Sequence, residues 1–287
     1  MEYTIENEYL TAVISSKGAE LIKLIDKDGI NRMHTPNKDT WNRVSPILFP
    51  QISRMPNFEY SVDGVMYNMT MHGFVRDSEL DLVSHNKTNI TLKLSHNQET
   101  IRMYPYEFNL YITYNLLANN LDISFKVENL NNKVLRYMLG GHPGFKVPLF
   151  DDESFSDYSI IFEKKETKKR MCVVDGFLAN VYQDYLCDTN TINLRRDLFT
   201  VDTLVFKNLK SNFVDVISKN HNKKIRVHFS EFETLAIWSK IEENANFVCI
   251  EPWNGIQKEF VKEHEEMGVL EIKPFESSYH SYRIEII

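Results

Sequence analysis

Apolar and polar residues alternate along much of this chain. Leu10, Ala12 and Ile14 interleave with Thr11 and Val13, Ser15-Ser16-Lys17-Gly18 turns the chain into Leu21-Ile22-Lys23-Leu24-Ile25, and Asp26-Lys27-Asp28-Gly29 turns it again. The pattern returns in Ile90, Leu92 and Leu94, in Leu121, Ile123, Phe125 and Val127, and in Ile225, Val227 and Phe229, each set separated by polar residues. A period of two puts one set of side chains on an oily face and the other in water, so these stretches predict antiparallel strands. Ala118-Asn119-Asn120 and Glu128-Asn129 to Asn131-Asn132-Lys133 supply the turn chemistry between them. No stretch sustains a 3.6-residue period. The helical candidates are Lys38-Asp39-Thr40-Trp41 and the polar run Gln257 to Glu266, closed by Gly268. The mixed charges from Glu163 to Arg170 read as a solvated loop or edge strand. With no linker and no internal repeat, the expectation is an all-β chain, one domain over 1–287, folded as a large antiparallel β-sandwich with a few short helices.

Composition narrows the function classes. Hydrophobic residues make up 43% and charged residues 25%, an ordinary globular balance, and 33 Lys+Arg against 40 Asp+Glu give a net charge of −7. That charge offers no electrostatic case for nucleic acid or for an anionic membrane, and a small neutral ligand fits it better. Cys172, Cys187 and Cys249 are odd in number and lack CxxC spacing, which argues against a disulfide framework or a zinc cage. The N-terminal residues lack a basic and then apolar leader, and no run approaches a membrane span, so the sequence reads as cytoplasmic.

Several segments carry chemistry-bearing side chains. In Leu139-Gly140-Gly141-His142-Pro143-Gly144-Phe145, three of the ten glycines fall within five residues, which predicts left-handed backbone and close approach to a ligand around one imidazole. An imidazole titrates near neutrality and suits general acid–base work. Met71-His72-Gly73-Phe74-Val75-Arg76 offers a second His-Gly pair. Ser45-Pro46-Ile47-Leu48-Phe49-Pro50-Gln51-Ile52-Ser53-Arg54 delivers an arginine from a proline-bracketed strand, and Asp202 stands ahead of the apolar run Thr203 to Phe206. Phe247-Val248-Cys249-Ile250-Glu251-Pro252-Trp253-Asn254-Gly255 brings a carboxylate out of a buried-looking strand beside an indole. Desolvation there raises its pKa and makes it a better base, while Trp253 offers a flat surface to a sugar ring. Taken singly, each has a structural alternative: a surface His, a solvated Glu, an Arg76 paired with Asp77 or Glu79.

As a set, His72-Gly73-Phe74, Gly141-His142-Pro143-Gly144-Phe145 and Glu251-Pro252-Trp253-Asn254-Gly255 resemble the aldose 1-epimerase (galactose mutarotase-like) family, and Leu48-Phe49-Pro50 to Arg54 its LacX-like branch. The resemblance runs from Gly18-Ala19-Glu20-Leu21 to the closing strand Tyr282 to Ile287. It implies a β-sandwich with an open groove and anomer interconversion without metal or other cofactor. It casts Glu251 as general base, His142 as general acid, His72 as the histidine steadying the ring oxygen, Arg54 as substrate-binding and Asp202 as hydroxyl-binding. The expected partner is a small-molecule sugar, with neither nucleic acid nor membrane, bound by a monomer or homodimer.

Three other readings stand beside this one. Hexose-6-phosphate epimerases of the family share a His-Gly-Phe-Ala-Arg motif, so Arg76 with Arg54 would suit a phosphate dianion. A sugar-binding or sensing protein would keep the groove without turnover, although it has no need of both Glu251 and His142. Two histidines and a carboxylate also permit zinc, but the short spacings that fix metal ligands on one element are missing. A glycosidase would want paired carboxylates, and Glu251 is the one strong candidate.

Overall fold

The computed structural model describes residues 1–174, 177–256 and 270–287. The helix candidate Gln257 to Glu266 lies outside the described residues. The alternating stretches are antiparallel strands. Glu2–Glu6, Leu10–Ser15 and Leu21–Asp26 form a three-stranded sheet. A fifteen-stranded sheet runs Ile47–Leu48, Leu139–Gly141, Phe247–Asn254, Thr234–Trp238, Leu204–Lys207, Tyr158–Val174, Phe213–Ser218, Lys224–His228, Ser277–Ile286, Asn120–Asn129, Phe108–Leu117, Asn89–Ser95 and Asp81–His85. Gly144–Lys146 adds to Phe247–Asn254, and Phe177–Asn193 to Tyr158–Val174.

The sheet folds back on itself. Phe49, at one end of that order, packs on Phe108, near the other, with ring centroids 5.3 Å apart. Tyr282 reaches across to Gly141, where a Cβ would lie 2.7 Å from the phenol oxygen. Between the layers, Ile123, Phe125 and Val127 on one strand are buried to 1% exposure or less. Side chains of this kind each contribute about 1.5–3 kcal/mol through removal from water. The buried face that the period of two predicted is thus the face observed.

One local expectation is corrected, and another holds except at its centre. Lys38 to Thr40 form a turn rather than a helix, because the Asn37 side chain accepts the Asp39 N–H at 2.9 Å and Asn37 N–H donates to the Trp41 carbonyl at 2.9 Å. Such Asx turns compete with helix formation. Among the described residues the α-helix is Gln98–Met103, capped by Asn97, whose side chain accepts the N–H groups of Glu99 and Thr100 at 2.9 Å. The charged segment Glu163 to Arg170 lies inside the strand Tyr158–Val174, and Glu166 at its centre is fully buried. Its carboxylate accepts from Lys210 N, Ser211 N and Ser211 Oγ, each at 2.8 Å, which offsets the cost of burying it. Among the described residues, no helix is long and apolar enough to cross a membrane.

Candidate active site

The site is built on the strand Phe247–Asn254, buried at every position. Alternation sends Phe247, Cys249, Glu251 and Trp253 to one face, opposite Trp238, Ala236 and Thr234 on the neighbouring strand. On the other side Gly140 pairs with Trp253 and Gly144 with Cys249. Gly140, Gly141 and Gly144 are not among the positive-φ residues, so the left-handed turn expected here is corrected: the segment forms two short strands, Leu139–Gly141 and Gly144–Lys146. The glycines provide clearance for aromatic rings instead. A Cβ at Gly140 would lie 2.7 Å from Trp253 Cδ1, and one at Gly144 2.5 Å from Trp41 Cζ3.

His142 sits between those two strands and meets Glu251, with Nε2 3.2 Å from Oε2. The side chains are 10% and 1% exposed. Among the described residues, neither Glu251 oxygen nor Nδ1 of His142 finds a well-aligned hydrogen-bond partner. Burial, joined by the negative charge of Asp202, holds the Glu251 carboxyl well above the usual range. Burial also pulls the His142 imidazole down to about 3, with the Arg76 and Arg43 guanidiniums acting in the same direction. In the singly protonated pair the proton therefore rests on the Glu251 carboxyl rather than on the imidazole, so the pair is not a salt bridge.

These shifts have a consequence for stability. A carboxyl whose folded pKa is raised stabilises the fold below its unfolded value and loses that contribution as pH rises toward the folded value. Glu251→Gln is therefore expected to melt about 2–5 °C higher than the wild type at pH 8, with the gap closing toward pH 4. Thermal unfolding across pH checks this, and a lower melting temperature for the variant at pH 8 would contradict it.

His72 occupies left-handed backbone (φ 64°) beside Gly73 (φ 74°). Its N–H donates to the Ser53 carbonyl at 2.9 Å, and its Nδ1 accepts the Ser53 N–H at 3.1 Å. Nδ1 is thus an acceptor, which leaves the ring hydrogen of the neutral form on Nε2. Burial and the nearby His142, Arg76 and Arg43 hold its pKa well below the ordinary histidine value. The His72 and His142 rings stand perpendicular, 5.7 Å apart.

His72, His142, Glu251, Asp202, Arg76 and Trp253 all line one groove of about 680 Å³. Asp202 reaches it from left-handed backbone (φ 68°) and accepts a hydrogen bond from its neighbour Thr203 Oγ1 at 2.8 Å. Arg76 Nε lies 3.6 Å from Asp77, the ion pair that its sequence neighbourhood suggested. Its placement follows from Gly18, where a Cβ would meet the Arg76 carbonyl at 2.8 Å. Trp253 is only 3% exposed, so it offers the groove little open surface. Arg54 is not brought into the lining; its guanidinium lies 4.3 Å from the Phe177 ring centroid and 5.6 Å from that of Phe58.

Three further residues belong to this site. Trp41 stacks on His142 at 5.0 Å and 30°, and Trp238 meets it at 5.6 Å and 82°. His34 braces Trp41 from behind, stacked at 5.5 Å with Nε2 3.0 Å from the Trp41 carbonyl. All three tryptophans of the chain line the groove. His142, Cys249 and Glu251 present potential metal-ligand atoms within 4.8 Å of one another. Burial and the adjacent Glu251 keep the Cys249 thiol protonated, the form that binds metal poorly.

An antiparallel β-sandwich whose groove sets an imidazole against a carboxyl among tryptophans defines a carbohydrate-directed isomerase of the mutarotase-like class. The chain belongs to the aldose 1-epimerase family, whose profile matches residues 1–270. It is 30% identical to the plasmid-borne Protein LacX of Lactococcus lactis subsp. lactis, over 100% of both chains. Among solved structures, a galactose mutarotase related enzyme from Lactobacillus acidophilus superposes with a TM-score of 0.95 at 31% identity, covering 100% of this chain and 97% of that one. A galactose mutarotase-like protein from Lactobacillus casei gives 0.93 at 28% identity, covering 100% of both.

Proposed function

We propose that this site interconverts the α and β anomers of a free, uncharged hexose, with Glu251 and His142 as the proton-transfer pair. The observation that carries the reading is the buried pair itself, 3.2 Å apart, with pKa values driven in opposite directions so that one proton is shared between them. Ring opening starts with that proton on His142. The Glu251 carboxylate takes the C1 hydroxyl proton while the imidazolium gives its own to the ring oxygen, and the C1–O5 bond breaks without a free oxyanion. The product state, protonated Glu251 and neutral His142 beside an open-chain aldehyde, is the distribution that burial favours. Rotation about C1–C2 and closure from the other face reverse both transfers. His72 Nε2–H would steady the ring oxygen, and Asp202 and Arg76 would bind hydroxyls.

The uncharged substrate is favoured over a hexose phosphate by the charges in the groove. The lining sets Arg76 and Lys240 against Asp202 and Glu242, with Glu251 holding the pair's proton, so it has no cationic excess for a phosphate dianion. Arg54 is assigned to bracing Phe177 at the groove edge rather than to binding a phosphate. NMR saturation transfer on glucose, galactose and glucose 6-phosphate tests this: exchange is expected on a neutral hexose, and Arg76→Gln is expected to raise KM about tenfold, the worth of one charge-assisted hydrogen bond. Exchange confined to the 6-phosphate would replace the substrate class, and binding without exchange would favour a sensing protein.

A further inference from the structure

Catalytic imidazoles are ordinarily oriented by a hydrogen bond to the nitrogen that does not touch substrate. Among the described residues, no other residue gives His142 such a bond: its Nδ1 is buried without a partner side chain, and Nε2 faces Glu251. Something else fixes the ring. The groups around it are Glu251, the perpendicular rings of His72 and Trp238, and the stacked indole of Trp41. Arg76 and Arg43 add positive charge from neighbouring segments.

We infer that Trp41 is a positioning residue that orients the His142 imidazole by face-to-face stacking, in place of the missing hydrogen bond. This rests on the acid–base reading above. Trp41 is suited to the task because it is itself immobilised. Its carbonyl is held by Asn37 N–H at 2.9 Å and by His34 Nε2 at 3.0 Å, and its ring stacks with both His34 and His142. Phe247 adds a third ring contact at 5.1 Å. Downstream, the Glu20 carboxylate accepts Val44 N–H at 2.7 Å and Ser45 N–H at 2.9 Å, tying this segment to the core. Gly144 completes the seat, since any side chain there would push the indole away.

Removing the indole leaves the imidazole free to turn, so the loss falls on the chemical step rather than on binding. Trp41→Leu is expected to lower kcat for hexose anomer exchange about 10- to 100-fold, the scale of a small misplacement of a reacting group, with KM within about twofold. Trp41→Phe, which keeps a stacking face, is expected to recover most of it. Gly144→Ala is expected to lower kcat similarly while the indole is still present. In a His142→Asn background, Trp41→Leu is expected to cost nothing further. A loss expressed in KM, an additive loss in that background, or a Phe variant no better than Leu would overturn the inference. Nitrogen-15 NMR of the histidine rings reads orientation without turnover: one fixed tautomer of His142 in the wild type and averaged shifts in Trp41→Leu are expected, and identical spectra would contradict it. If the wild type exchanges no anomers, the acid–base reading fails separately, and the NMR comparison still decides the role of Trp41.

Discussion

Glu251→Gln is expected to slow anomer exchange by about 10²–10⁴-fold, and His142→Asn by a similar factor, with the double variant no slower than the worse single one. The reason is stoichiometric. Opening a hemiacetal in one step needs a proton removed at C1–OH and another delivered to O5, and a site that holds a single proton between two groups cannot do half of this. The amide introduced by Glu251→Gln could neither take nor return the C1 proton, and the amide introduced by His142→Asn could not protonate the ring oxygen. Steady-state exchange kinetics on folded variants decide the matter. Multiplicative losses in the double variant would mean that the residues act independently, contrary to a shared-proton pair.

Gly73→Ala is expected to destabilise the protein by about 3 kcal/mol or more, lowering Tm by roughly 5–10 °C. Gly73 combines φ 74° with a backbone approach so close that a Cβ would stand 2.0 Å from the Phe49 carbonyl oxygen. Phe49 cannot yield, because it is fully buried against Phe108, Tyr104 and Tyr137. Gly64 is the control. It has φ 79° and nothing within 4 Å, so its alanine variant bears only the backbone strain, about 1 kcal/mol. Comparable melting temperatures for the two variants would show that the contact with Phe49 is relieved at little cost. Because His72 adjoins Gly73, the Gly73 variant should also lose exchange activity.

The strands were legible because each buries one face, and Leu121, Ile123, Phe125 and Val127 therefore had to alternate with polar residues. Glu251 and His142 were legible because each sits in a segment with little structural reason to carry an ionisable group. Asp202 reached the groove without any motif to announce it, from a backbone conformation that Asp tolerates better than most residues. Trp41, Trp238 and His34 were missed because their role lies in cross-chain packing, which has no period. Only the clearance at Gly144 reveals why Trp41 can reach His142, and that clearance was misread as a need for left-handed backbone. The helix Gln98–Met103 is too short to show a 3.6-residue period. Glu166, inside a charged run, gave no sign that it would be buried, since the backbone groups it satisfies belong to a loop about 45 residues away.

The pH dependence of kcat/KM for hexose anomer exchange, corrected for the spontaneous rate and measured from pH 5 to 9, tests the shared-proton pair most directly. Two independent groups with ordinary pKa values would confine activity to a bell between about 4.5 and 6.5. With His142 held down to about 3 and Glu251 held well above its usual value, the account predicts a rate already level at pH 5 and an alkaline limb that belongs to the Glu251 carboxyl. An acid limb centred on the ordinary carboxylate value, or exchange no faster than in buffer alone, would contradict it.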